Sequence, residues 1–111
     1  MIDVPKSFNL AGRKWCVYFL DQDAAEKQYG GHHDDLDASG LSSSRQAELY
    51  IVDRDDEAEE YRRITFWHEL VHGMLSTLGR HESTHDEVLV DGLAYMLNEF
   101  DKTRRGKTNL D

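Results

Sequence analysis

His68, Glu69 and His72 stand in the order His-Glu-x-x-His. Side chains four residues apart share one face of an α-helix, so His68 and His72 can present two imidazole nitrogens to one metal ion. Glu69 lies about 100° around such a helix from His68, within reach of a water on that metal. The chemistry this arrangement suits is hydrolysis, with a metal-activated water and a glutamate as general base. The string has this meaning only on a helix, and its flanks supply one. Tyr61, Ile64, Trp67, Val71, Leu75 and Leu78 recur at three- and four-residue steps. Glu57, Glu59 and Glu60 gather where a helix dipole favours negative charge, and Gly79-Arg80 forms a stop. The competing reading is a pair of helix histidines that bind nothing, since roughly a few in every hundred chains of this composition carry the string by chance.

Two histidines do not close a site, because a catalytic zinc takes three protein ligands and keeps a fourth position for water. A third histidine six residues after His72 is one solution, but that position is Leu78. A carboxylate on the following helix is another. Thr84-His85-Asp86-Glu87 opens such a helix, and Val90, Leu93, Leu97 and Phe100 give it an apolar stripe. Glu87 and Asp91 share a face there, with Tyr95 one turn further on. Glu87 reads as the third ligand, and Asp91 as the carboxylate that accepts the N–H of a ligating histidine. Thr84-x-x-Glu87 fits a capping box as well, Asp91 also suits a solvated helix face, and His85 and His81 are rival ligands. A second donor to the oxyanion of the reaction is expected from Tyr95, His81, His85 or His32.

The elements that must position these groups are legible in outline. Phe8 to Leu10 and Lys14 to Leu20 flank Ala11-Gly12 as a hairpin, and Ala47 to Asp53 is a further strand. Asp21 is a natural N-cap for a short helix to about Tyr29, closed by Gly30-Gly31. Residues 32–46 read as a loop or an irregular edge strand. Within them His32, His33, Asp34, Asp35 and Asp37 have metal-ligand side chains, but no regular spacing, and a solvated loop explains them better. Cys16 sits in an apolar strand and reads as a small buried hydrophobe.

The order Phe8-Asn9-Leu10-Ala11-Gly12-Arg13-Lys14-Trp15, a hairpin ending in Glu48-Leu49-Tyr50-Ile51-Val52, the His68–His72 motif, and His85-x-Glu87-x-x-Val90-x-x-Leu93-Ala94 resembles the small metallopeptidases of the ImmA/IrrE type, many carried by phages and prophages. The Glu87-x-x-x-Asp91 spacing is also similar to that of thermolysin-like gluzincins, where the Glu binds zinc and the Asp orients a His ligand. The likeness runs over roughly residues 8 to 100, and only the His-Glu-x-x-His string is sharply specific. The chain departs from the ImmA/IrrE pattern in having no helix-turn-helix region and no LLxP-like end to its last helix.

The resemblance and the residues together imply an α+β minimal zincin. A small, mostly antiparallel sheet would pack against the helix of His68 and the helix of Glu87. Residues 1–101 form one zincin-like domain and the basic stretch 102–111 a fraying tail. Zn²⁺ held by His68, His72 and Glu87, with Glu69 as general base and Asp91 behind the ligands, would hydrolyse a protein or peptide substrate added as a strand near residues 36 to 44. The other readings are a zinc-stabilised interaction domain with little chemistry, and a protein in which the motif is coincidental. The net charge of −9 argues against non-specific nucleic-acid and anionic-membrane partners. A single cysteine, no signal-like N-terminus and no stretch of transmembrane length point to the cytoplasm.

Overall fold

The computed structural model describes residues 4–21, 23–24, 40–53 and 59–108. Four strands, β1 (Ser7–Leu10), β2 (Arg13–Asp21), β3 (Gly40–Ser43) and β4 (Glu48–Asp53), form one sheet in the order β1-β2-β4-β3. Three helices follow: α1 (Glu59–Thr77), the single turn α2 (His81–Thr84) and α3 (Glu87–Thr103). The architecture is α+β, and among the described residues no helix is long and apolar enough to cross a membrane.

β1 and β2 are the expected hairpin, paired antiparallel with Leu10 opposite Arg13. Ala11 and Gly12 both take positive φ, 52° and 79°, the geometry of a type I′ turn that matches the twist of paired strands. β3 and β4 are a second antiparallel hairpin, and between the two hairpins β2 runs parallel to β4, with Tyr18 opposite Tyr50. The sheet is therefore mixed. β3 runs antiparallel to β2 and returns the chain, so that β4 enters between them in the direction of β2, which no local pattern announces.

Trp15, Leu49 and Ile51 turn to one face of this sheet and meet Phe66 and Leu70 of α1. Phe8 stacks on Trp15 at 6.1 Å and meets Phe66 edge-on at 6.0 Å. Truncating Trp15, which is fully buried, would cost about 3–5 kcal/mol. α1 approaches the sheet this closely because position 73 is glycine: a Cβ there would lie 3.0 and 3.1 Å from the Trp15 ring. On its other side α1 holds α3 through a smaller cluster of Val71, Val90 and Ala94, flanked by Trp67, Leu75, Leu93 and Leu97. The molecule is thus three layers: sheet, α1, α3.

This layering corrects several expectations. α1 is covered on two sides, so its buried positions include Thr65, Phe66, Leu70 and Gly73, while Tyr61 and Leu78 at the ends of the expected stripe are exposed. Phe100, the last residue of the apolar stripe expected on the second helix, lies outside the core and is 66% exposed. Cys16 is half-buried rather than buried. The last helix runs through Thr103, so Lys102 is part of it and not of a tail.

The helix ends are set by local bonds. Gly79 takes φ +74°, its N–H reaches Ser76 O at 3.0 Å and the Arg80 N–H reaches Leu75 O at 2.8 Å, a Schellman closure of α1. Asp86 caps α3, its Oδ1 accepting from Leu89 N at 3.1 Å. The capping box on Thr84 and Glu87 is therefore not formed, and both side chains are released for other contacts. Asp21 Oδ1 accepts from Ala24 N at 2.6 Å as an N-cap does. The rest of that short helix, and the group His32, His33, Asp34, Asp35 and Asp37, lie outside the described residues.

Candidate metal centre

α1 carries His68, Glu69 and His72, and the turn made by Gly79, α2 and the Asp86 cap brings the first turn of α3 back beside them. His68 Nε2 lies 3.2 Å from His72 Nε2 and 3.4 Å from Glu87 Oε2, and His72 Nε2 lies 3.6 Å from Glu87 Oε1. Among the described residues these three form a group able to hold a metal ion, with all ligand atoms within 4.8 Å of one another.

What lies behind the imidazoles decides their chemistry. His68 Nδ1 is 2.8 Å from Asp91 Oδ1, so the carboxylate takes the Nδ1–H. His72 Nδ1 is 2.9 Å from Thr84 Oγ1. Thr84 Oγ1 lies 3.5 Å from His72 O, which can take the hydroxyl proton and leave Oγ1 to accept from Nδ1–H. With Nδ1–H on both rings, the two Nε2 lone pairs face the Glu87 carboxylate, whose Oε2 meets His68 and whose Oε1 meets His72. Such a triangle of donors is able to hold a cation. Bonds of about 2.0–2.1 Å in a tetrahedral zinc shell put ligand atoms about 3.3–3.4 Å apart, and the two Nε2 atoms lie 3.2 Å apart. Two nitrogens also suit zinc better than magnesium or calcium, which prefer all-oxygen shells.

Glu69 points from the same helix turn toward β3 and is only 6% exposed. Gly40 at the start of β3 makes room for it. A Cβ on Gly40 would lie 2.9 Å from Glu69 Cγ and 2.7 Å from Tyr50 O. His68, Glu69 and His72 floor a cleft of about 420 Å³, walled on one side by Gly40, Leu41 and Ser42 of β3 and on the other by Thr84, His85 and Glu87.

The remaining candidates are separated by position. His85 lines the cleft but does not join the group of ligand atoms, and His81 is exposed at the start of α2. Tyr95 is exposed and lines an adjoining hollow of about 210 Å³ together with His68, Glu69 and Asp91. His32 lies outside the described residues. Thr84 is the contact that sequence reasoning passed over: its spacing to Glu87 suggested a cap, and only the closure at Gly79 turns it toward His72. Protein-family models, curated proteins and solved structures were compared with the chain, and none of them matches it.

Proposed function

We propose that this protein is a zinc-dependent peptidase, a minimal zincin of the kind the ImmA/IrrE-type metallopeptidases exemplify, acting on a cytoplasmic protein or peptide. The observation that carries the reading is the lone-pair triangle of His68, His72 and Glu87, with each imidazole fixed from behind by Asp91 or Thr84.

When bound, Zn²⁺ supplies a Lewis acid that acidifies its water towards a pKa of about 7 and polarises the scissile carbonyl. His68, His72 and Glu87 hold it, and Asp91 and Thr84 keep the two rings aimed. Glu69 takes the proton of the attacking water and returns it to the leaving amine, since its carboxylate sits beside the ligands and at the foot of the cleft. Among the described residues β3 pairs only with β4, so its other edge can accept an extended substrate as an added strand that crosses the cleft. Tyr95, in the hollow that adjoins the cleft, and His85, in the cleft itself, are the candidate oxyanion donors.

The test is zinc content together with peptide hydrolysis for the wild type and Glu69→Gln. About one zinc per chain in both proteins, with turnover lower by a factor of about 10² or more in the variant, is the expected result. Zinc retained with equal hydrolysis, or with none in the wild type, removes the peptidase reading and favours a zinc-stabilised interaction domain. Absence of zinc uptake removes both.

A further inference from the structure

The outer surface of α3 carries a second feature that the metal site does not use. Leu89, Leu93, Met96 and Phe100 follow one another at spacings of four, three and four residues, the alternation of the two apolar positions of a heptad. That is the repeat of a helix built to lie along another helix. Leu93 is partly buried against the α1–α3 cluster, whereas Leu89, Met96 and Phe100 are 38%, 61% and 66% exposed. Gly92 flanks the stripe, and a Cβ built there meets nothing within 4 Å, so a second backbone can come close.

We infer that this stripe pairs with the same stripe of a second copy of the chain, antiparallel about a two-fold axis between Leu93 and Met96. That arrangement sets Leu89 opposite Phe100 and Leu93 opposite Met96. The ends of the helix decide the direction. Glu82 and Asp86 lie at its N-terminal end, and Arg104, Arg105 and Lys107 follow its C-terminal end. Antiparallel pairing brings the acidic end of one copy to the basic end of the other at both ends of the contact, and a parallel pair would set like charges together. The surface is self-complementary in charge, as a two-fold interface must be. At 100° per residue Glu87 and Asp91 project roughly opposite to the stripe, so the paired form leaves the metal cleft open. One helix face per copy lies at the small end of specific interfaces, so the dimer is a weak one.

The inference stands apart from the peptidase reading, and its test uses sedimentation rather than activity. The full chain, sedimented from micromolar to millimolar concentration, should pass from monomer to dimer. Phe100→Asp and Met96→Asp should each weaken association by at least about tenfold, with zinc uptake and the circular dichroism spectrum unchanged. Val88 is 85% exposed but off the stripe, so Val88→Asp should associate as the wild type does. A chain that stays monomeric throughout, including one whose stripe binds a different protein, overturns the inference. So does a dimer that Phe100→Asp and Met96→Asp leave intact, or one that Val88→Asp disrupts equally.

Discussion

Thr84→Val tests whether the hydroxyl behind His72 prepares a metal ligand. Valine keeps the shape and loses the acceptor for His72 Nδ1–H, now 2.9 Å away. With zinc bound, Nε2 is committed to the metal and the proton must stay on Nδ1, where the variant offers it no partner. The loss combines a neutral hydrogen bond, about 1 kcal/mol net, with a half-buried donor left stranded, about 1–3 kcal/mol. A central value of about 2 kcal/mol is about 30-fold in zinc affinity, inside the 10–100-fold range for groups that support metal ligands. Without zinc the proton can move to Nε2 instead, so metal-free stability should change by less than about 1 kcal/mol. For 111 residues, an unfolding entropy of about 2.1 cal/mol/K per residue converts 1 kcal/mol into about 4 °C of Tm. Thermal melts at one fixed zinc excess should therefore show the zinc-induced rise shrinking by about 8 °C, while the metal-free Tm moves by no more than about 4 °C. Equal zinc-induced rises in Thr84→Val and wild type would refute the role given to Thr84, and with it the tautomer argument for the site.

Three further outcomes follow from the same geometry. Glu87→Ala should reduce zinc affinity well beyond the 10–100-fold range expected for Asp91→Ala, while His85→Ala and His81→Ala stay near wild type in competitive zinc titrations. Gly40→Ala drives a methyl against Tyr50 O and Glu69 Cγ, so chemical denaturation should show a loss of about 1–3 kcal/mol, and any hydrolysis should fall more than zinc binding does. The bond from Lys102, then that from Asn98, holds the Glu60 carboxyl below its ordinary value of 4.5. Its contribution to stability is then complete above that value and lost as pH falls through the lower folded one, so Glu60→Gln should flatten the acid limb of stability against pH.

The sequence made the site more legible than its setting. The three- and four-residue spacing around His68 and His72 is local, and so are the Gly79 stop and the Glu87–Asp91 step, which is why the helices could be drawn from them. The pairing of β2 with β4 joins residues some thirty apart, and nothing near Val17 or Leu49 encodes a parallel partner. β3, Gly-Leu-Ser-Ser, is short and poor in strand-forming residues, and its pairing with β4 rather than its own composition makes it a strand. Tyr61, Leu78 and Phe100 belong to stripes that marked the helices, yet all three are exposed, because apolar periodicity does not show how far a neighbouring layer extends. Thr84 was legible as a cap and not as a contact to His72. Asp86 took the capping role, and that choice is made by backbone geometry at the bend.

The three-layer arrangement also has a consequence for how the molecule comes apart. The sheet and α1 share a core of large side chains, whereas α3 adheres through Val90, Ala94 and a few neighbours, fastened at one end by Glu60 to Asn98 and Lys102 and at the other by His68 to Asp91. Polar fastenings on a thin apolar seam open at lower free energy than a packed aromatic core. In native-state hydrogen exchange the amides of α3 should thus form their own opening unit, releasing before those of β4 and the middle of α1. Because that unit contributes Glu87 and Asp91, each excursion dismantles one wall of the cleft while the two histidines stay in place.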